Sequence, residues 1–257
     1  MTPPEYVRPT TIPDALKVLR GGTALAGGTT LAAQARHLTR LVDLQDLGLD
    51  GLAVERGQVR LGAMLRLQQL VEAAGSLPGG LIDACRLEAA LNLRNMTSVA
   101  GALIACSGRS AVAAAMLALH AQVRIEPGPD QWSLDDLLDR RHAGLDSRLV
   151  TEILFQIPGA MAFASVARSP ADQPIVCAAV ARLAGRVPSF GVAVGGFGER
   201  PILVQQAELA LAAGDPGGAA QAAREAFARA GDAWASGEFR GHLAATLVRR
   251  LAGEVGV

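Results

Sequence analysis

The sequence predicts an α+β fold in three parts: a small α/β lobe, a larger α+β lobe, and a C-terminal domain of three antiparallel strands and a helix bundle. Three observations predict it. Residues 1–51 run strand, helix, strand, the order that suits a parallel sheet. From Leu52 strands and helices mix. Beyond Pro158 three apolar runs are joined by connections too short for helical crossovers, and after Arg200-Pro201 the pattern turns helical. Pro158-Gly159 is the expected domain boundary, giving 1–158, with lobes of about 1–51 and 52–158, and then 159–257.

The elements follow in order. Thr11-Ile12-Pro13-Asp14 supplies a cap and an early proline, so a helix begins near Pro13. Thr23–Ala26 reads as a strand, Leu31–Leu38 as a helix and Arg40–Leu44 as a second strand. Val59–Ala63 alternates like a strand, Leu67–Ala74 is a short helix, and Leu81–Leu91 carries apolar residues at helical spacing. The alanine-rich stretch Ser110–His120 is a helix that must be buried on most sides. Val123–Ile125 and Leu149–Phe155 are strands, separated at first by the turn Glu126-Pro127-Gly128-Pro129-Asp130. Ala162–Val166, Ile175–Leu183 and Phe190–Val194 form the antiparallel set. Helices then span about 205–213, 217–230 and 238–251, the last with Phe239, Leu243, Leu247 and Leu251 on one apolar stripe.

Composition narrows the function classes. Lys plus Arg balances Asp plus Glu at 24 each and neither sign forms a block, so nucleic acid and acidic membrane surfaces are disfavoured as partners. No apolar run approaches the ~20 residues that span a bilayer. The N-terminus shows no export signal, and Cys85, Cys106 and Cys177 lie far apart without a C-x-x-C, so we expect a cytoplasmic protein with reduced core thiols. That cysteine pattern excludes an iron–sulfur cluster carried by this chain alone. His37, His120, His142 and His242 are isolated, and no metal site is expected.

Two glycine-centred turns carry the chemistry. Leu25-Ala26-Gly27-Gly28-Thr29-Thr30-Leu31 and Arg94-Asn95-Met96-Thr97-Ser98-Val99-Ala100-Gly101-Ala102-Leu103 are small-residue stretches with apolar flanks, suited to presenting bare backbone N–H groups. Two such turns in one domain suggest a diphosphate clamp. The first alone has neither G-x-G-x-x-G spacing nor the Lys-Ser/Thr that ends a P-loop, and by local chemistry alone an ordinary strand–turn–helix junction is the favoured reading of it.

Tyr6-Val7-Arg8-Pro9, Ala26-Gly27-Gly28-Thr29, Leu41-Val42-Asp43-Leu44, Leu61-Gly62-Ala63, Arg94-Asn95, Leu149–Pro158 with Glu152, Gly195-Gly196 to Pro201 and Ser236-Gly237-Glu238-Phe239-Arg240 follow one another in a recognisable order. From near Tyr6 to near Arg250 the chain resembles the FAD-binding medium subunit of molybdenum hydroxylases, of the carbon monoxide dehydrogenase and xanthine dehydrogenase type. The resemblance implies a two-lobed FAD-binding domain followed by the flavoprotein C-terminal domain, with FAD as cofactor. It places the FAD pyrophosphate on backbone N–H groups of both turns: Ala26, Gly27, Gly28, Thr29, Thr30 and Leu31, then Val99 and Gly101. It implies further flavin contacts near Ser107 and a family acid at Asp172. Implied partners are an iron–sulfur subunit and a molybdopterin-binding subunit, with electrons passing from the clusters through flavin to an external acceptor. The resemblance assigns no general acid, base or nucleophile to this chain.

The chain departs from the family pattern at one end of the expected site. The pattern Arg-Asn-x-x-Thr-Ile-Gly-Gly-Asn/Asp has Ala100 for its first glycine and Ala102 for its terminal polar residue, costly if position 100 needs positive φ. Where relatives read Ser-Pro-x-x-Asp, this chain reads Ser107-Gly108-Arg109-Ser110-Ala111, so an acid is missing at Ala111. Arg109 is read either as a cation near the diphosphate or as a solvated side chain. Two functional readings follow: a working flavoprotein subunit, or a non-enzymatic paralogue that keeps the scaffold and serves as a structural or assembly partner.

Overall fold

In the computed structural model, which describes residues 4–31, 37–128, 130–170 and 172–257, the chain forms two compact units, each assembled from separated stretches of sequence. The first is Met1–Gln69, Leu91–Ala105 and Gln122–Leu154; the second is Leu70–Ala90, Cys106–Ala121 and Phe155–Val257. Neither unit is a single continuous stretch of chain. Two helical stretches of the expected middle lobe cluster with the C-terminal segment, because their apolar faces find a sheet to cover there.

The first unit carries two sheets. Strands β1 (Glu5–Val7), β2 (Thr23–Leu25) and β3 (Arg40–Asp43) form a parallel sheet in the order β1-β3-β2, as the strand–helix–strand order requires. Helix α1 (Ile12–Leu19) is started by the Thr11 side chain, which accepts from the Asp14 N–H at 3.3 Å, with Pro13 in the first turn. Its Leu19 packs with Val42 and Leu44. Asp43, only 1% exposed, fastens this sheet: it accepts from the Tyr6 hydroxyl and, at 3.0 Å, from the Gln45 N–H. The bond to Asp43 pushes the Tyr6 pKa above its ordinary value. Two stretches of the family pattern, Tyr6-Val7-Arg8 and Val42-Asp43, are therefore partners in space. The helix expected over Leu31–Leu38 falls mostly outside the described residues, as does Pro129 of the expected turn.

The second sheet of this unit has the order β4-β5-β8-β6-β7, from β4 (Leu52–Glu55), β5 (Gln58–Gly62), β6 (Gln122–Glu126), β7 (Asp130–Ser133) and β8 (Leu149–Gln156). Glu152 on the central β8 pairs with Arg60 on β5 at 2.8 Å and Arg124 on β6 at 2.5 Å, a bridge across three adjacent strands. Helices α2 (Leu67–Glu72) and α3 (Gly79–Glu88) follow β5, and the short α4 (Leu91–Arg94) and α5 (Val99–Ile104) occupy the stretch read from sequence as the second glycine turn. Helix α6 (Ala111–Ala118) precedes β6, and α7 (Leu134–Arg140) leads on to β8.

The second unit is a layered sheet with helices on both faces. Strands β9 (Ala160–Val166), β10 (Val176–Arg182), β11 (Phe190–Gly195) and β12 (Ile202–Leu203) are antiparallel in the order β12-β11-β10-β9, so a fourth strand joins the three expected. Its two residues are too short a run to show periodicity. Val176–Ala181 of β10 are all buried, which demands cover on both sides. Val176, Ala178 and Val180 join the core formed with α8 (Gln205–Ala212), α9 (Pro216–Ala226) and α10 (Gly237–Glu254). Helix α6 covers the other face with every residue buried, as its uniformly apolar sequence predicts. A Cβ on Gly191 would strike the Ala118 carbonyl, so that glycine sets how closely α6 approaches β11. The stripe expected through Phe239 is displaced. Phe239 is 48% exposed, and the buried face of α10 runs through Arg240, Ala244, Leu247, Val248 and Leu251.

The three cysteines are buried thiols outside any disulfide, and burial pushes the Cys177 thiol up to about 12. The departure from the Ser-Pro-x-x-Asp pattern is accommodated in this unit. Gly108 donates its N–H to Gly198 at 2.9 Å and accepts from Gly196 at 2.6 Å, the first of which a proline could not do. The N-terminus of α6, where Ala111 lacks an acid, receives the Glu88 carboxylate instead: it accepts from Ser110 Oγ at 2.9 Å and the Val112 N–H at 2.9 Å. Desolvation pushes the Glu88 pKa up despite these bonds. Between the ordinary carboxylate value and that raised value the folded chain keeps a proton the unfolded chain has lost, so stability falls as pH rises through the window. Glu88→Gln cannot ionise. Its melting temperature relative to wild type should therefore climb between pH 4 and pH 8, and a pH-independent difference would contradict this.

Candidate functional site

The site begins at the end of β2. The strand pairs with β3 up to Leu25, whose carbonyl accepts from the Leu44 N–H at 3.0 Å; beyond it the chain leaves the sheet. Gly28 takes φ +70°, a left-handed conformation that a side chain would strain. Among the described residues, the backbone N–H groups of Ala26, Gly27, Gly28, Thr29 and Thr30 have no hydrogen-bond acceptor. Five successive uncommitted amides at a partly exposed turn are donors available to an anion.

The second stretch behaves differently. It is the start of a helix, α5, capped by Ser98, whose hydroxyl accepts from the Gly101 N–H at 3.1 Å. Val99 donates to the Leu65 carbonyl at 2.8 Å, Ala100 to Ala63 at 3.1 Å, and Ala102 to Ser98 at 2.9 Å. Its amides are committed within the fold. Ala100 and Ala102 both lie inside the helix, neither at positive φ, so the strain a methyl group would cause at a left-handed position does not arise.

The two stretches are locked together. A Cβ built on Gly27 would fall on the Met96 carbonyl oxygen and lie 3.0 Å from Arg66 Nη1, so only glycine permits this approach. Arg66 Nη1 donates to the same carbonyl, and Thr97 Oγ1 donates to Thr29 Oγ1 at 3.4 Å. Together they wall a cavity of ≈ 660 Å³ within the first unit, inside the roughly 300–1,000 Å³ range of ligand clefts.

A family model described as the FAD binding domain in molybdopterin dehydrogenase matches residues 2–157, and one described as the CO dehydrogenase flavoprotein C-terminal domain matches residues 161–255. The chain belongs to this FAD-binding flavoprotein family. A curated relative, the uncharacterized protein YgfM of Escherichia coli K12, is 32% identical over 184 residues, 69% of each chain. Among solved structures, the flavoprotein superposes on reconstituted CO dehydrogenase from Oligotropha carboxidovorans with a TM-score of 0.85 at 23% identity, covering 99% of both chains. Quinoline 2-oxidoreductase from Pseudomonas putida 86 gives 0.83 at 22% identity over 99% of this chain and 98% of that one. At these identities the structures establish a shared fold.

The residues present fit FAD. Its diphosphate is an anion, and uncommitted backbone amides such as those of Ala26–Thr30 can bond an anion without any lysine. Of the residues expected from sequence, Ala26, Gly27, Gly28, Thr29, Thr30, Leu31 and Gly101 line the cavity. Val99 is fully buried beside it, with its N–H directed to Leu65. Ser107 and Asp172 belong to the second unit of the flavoprotein, where the Ser107 hydroxyl accepts from the Arg109 N–H at 3.2 Å and Asp172 donates its own N–H to Ser169 at 3.1 Å. Arg109 is not the solvated side chain of one expectation, being only 13% exposed. Its guanidinium pairs with Asp232 at 3.2 Å and stacks 4.3 Å from the Trp234 ring centre.

Sequence reasoning missed one wall altogether. Arg141, Leu145, Asp146, Ser147 and Arg148, between α7 and β8, line the cavity of the flavoprotein. Arg141 is 8% exposed, Ser147 takes φ +57°, and Arg148 pairs with Asp130 at 3.1 Å. The polar run Asp146-Ser147-Arg148 before an apolar strand was the available signal, and it reads like any loop.

Proposed function

We propose that this chain is the FAD-carrying subunit of a multi-subunit molybdenum hydroxylase in the cytoplasm. In this reading electrons arrive from iron–sulfur clusters on one partner subunit, a molybdopterin-binding partner oxidises the substrate, and an external acceptor takes the electrons from the flavin held here. FAD, when bound, supplies the reversible electron-accepting chemistry. The chain's own residues bind and orient. Ala26–Thr30 hold the diphosphate through backbone N–H groups, Gly27 keeps that turn against Met96, and the Ser98-capped start of α5 with the Arg141–Arg148 segment walls the nucleotide.

The single observation that carries the reading is that the five residues with uncommitted amides, Ala26–Thr30, line a ligand-sized cavity. The helical setting of Ala100 supports it against the scaffold-paralogue alternative, since the substitution that most threatened the site sits there without strain.

Flavin occupancy tests it. FAD at a hundredfold excess over Kd stabilises a protein by about 2.7 kcal/mol, which for a chain of this size raises the melting temperature by several degrees. Purified protein is expected to be yellow or to show that shift. Colourless protein that fails to shift in millimolar FAD would overturn the reading and leave the scaffold role.

A further inference from the structure

We propose that the second turn reaches the diphosphate through a side-chain hydroxyl rather than a backbone amide, with Thr97 and Thr29 forming a two-hydroxyl clamp across the mouth of the amide cradle. This rests on the FAD-binding reading above and assigns a positioning role that the family pattern, which leaves position 97 open, does not specify.

The argument starts from what the second turn has left to offer. The N–H groups of Val99, Ala100, Gly101 and Ala102 donate to Leu65, Ala63, Ser98 Oγ and Ser98 O, so none is free to turn toward a phosphate without breaking the start of α5. The Met96 carbonyl is an acceptor, fixed by Arg66 and pressed on Gly27, and repels an anion rather than holding one. Ser98 is 1% exposed and already caps the helix. Thr97 remains: partly exposed, it lines the cavity, as does Thr29 on the opposite stretch.

Their oxygens are 3.4 Å apart, near the outer limit for a hydroxyl–hydroxyl bond, so little is lost when either rotates toward a better acceptor. A phosphate oxygen is such an acceptor, because a hydrogen bond to a charged group is roughly twice as strong as a neutral one. Thr29 itself follows the last glycine of the cradle and lies next to the uncommitted amides. A diphosphate settled on Ala26–Thr30 therefore meets one hydroxyl from each stretch, and the two turns close on it without a second set of amides.

The experiment compares Thr97→Val, which keeps the shape and removes the hydroxyl, with Thr97→Ser, which keeps the hydroxyl, by flavin-fluorescence titration of the full chain. FAD and riboflavin, which carries no phosphate, are the two probes. Thr97→Val should weaken FAD at least about tenfold, Thr97→Ser should stay within about threefold of wild type, and the riboflavin response should be the same in all three proteins. Thr29→Val should weaken FAD similarly, guarding against a folding defect peculiar to position 97. Wild-type FAD affinity in Thr97→Val, or equal losses in the Val and Ser variants, overturns the clamp while the FAD reading stands. Absence of FAD binding by the wild-type chain overturns both.

Discussion

Gly27→Val should abolish FAD retention, with FAD affinity lowered at least about a hundredfold, while the far-UV circular dichroism stays that of a folded chain. The added Cβ would fall on the Met96 carbonyl oxygen and press on Arg66 Nη1. That carbonyl cannot retreat cheaply. Met96 donates to Leu93 at 2.9 Å, Thr97 donates to Leu93 at 2.8 Å and accepts from Leu67 at 3.0 Å, and the next residues are tied into α5. The first turn must move instead, carrying its five amides away from the cavity. Overpacking of this kind costs about 1–3 kcal/mol of stability, and a lost donor set costs ligand more than it costs fold, because those amides bond nothing else in the described chain.

The neighbouring glycines grade the effect. A Cβ on Gly28 has room, with Leu25 Cδ1 at 3.5 Å, but its φ of +70° makes Gly28→Ala a matter of backbone strain, about 1 kcal/mol or somewhat more. Gly101 is helical, and its Cβ would press on the Ser98 hydroxyl at 2.8 Å, a group that can shift at the expense of the cap, and make an ordinary contact with Ala26 Cβ at 3.9 Å. Affinity should therefore fall in the order Gly27→Val, Gly28→Ala, Gly101→Ala. Equal binding by Gly27→Val and wild type in a fluorescence titration would remove the first turn as the seat of the diphosphate.

The first turn was legible in the sequence because its chemistry is local: a strand ends, glycines follow, and no side chain obstructs. The parallel order of the N-terminal sheet and the burial of α6 were legible for the same reason, being set by periodicity and by an unbroken apolar run. The second turn was misread because Ser-Val-Ala-Gly-Ala suits a loop and a capped helix start alike, and what decides is the pairing of Val99 and Ala100 with Leu65 and Ala63, more than thirty residues away in sequence. Long-range pairing also explains the two-residue β12, the exposed Phe239 and the cavity wall at Arg141–Arg148. The apparent losses at Gly108 and Ala111 likewise look different once Gly198 and Glu88 stand beside them.

The motif Ser236-Gly237-Glu238-Phe239-Arg240 invites a functional reading, and the structure gives it a structural one with a large expected effect. Ser236 caps α10, accepting from the Phe239 N–H at 3.2 Å, and thereby directs Arg240 inward. Arg240 is fully buried. Its guanidinium donates to the carbonyls of Ile175, at 3.3 Å, Ala235, at 2.8 Å, and Ala230, at 2.5 Å, and to the Asp232 carboxylate at 2.7 Å, and it lies 5.4 Å from the centre of the Phe197 ring. The same carboxylate accepts from the N–H groups of Trp234 and Ala235, and the Arg240 bond, before any other cause, holds its pKa far below the usual carboxylate range. Arg240→Ala would leave the Ile175 and Ala230 carbonyls without this donor beside a cavity, while the Ala235 carbonyl keeps the Asp232 N–H and the Asp232 carboxylate keeps Arg109 and two N–H groups; each buried acceptor left unsatisfied costs about 1–3 kcal/mol. The variant should unfold well below the wild-type temperature or fail to accumulate. Arg240→Lys restores a charge without the planar fork and should recover only part of the loss. Because Asp232 titrates lower in the folded chain than in the unfolded one, its contribution is present above the ordinary carboxylate pKa and lost as pH falls toward the folded value. Asp232→Asn should accordingly be less stable than wild type at neutral pH and converge with it in acid. If Arg240→Ala melts within a degree of wild type at pH 7, the guanidinium is not what ties the start of α10 to Ile175 and the Ala230–Ala235 segment.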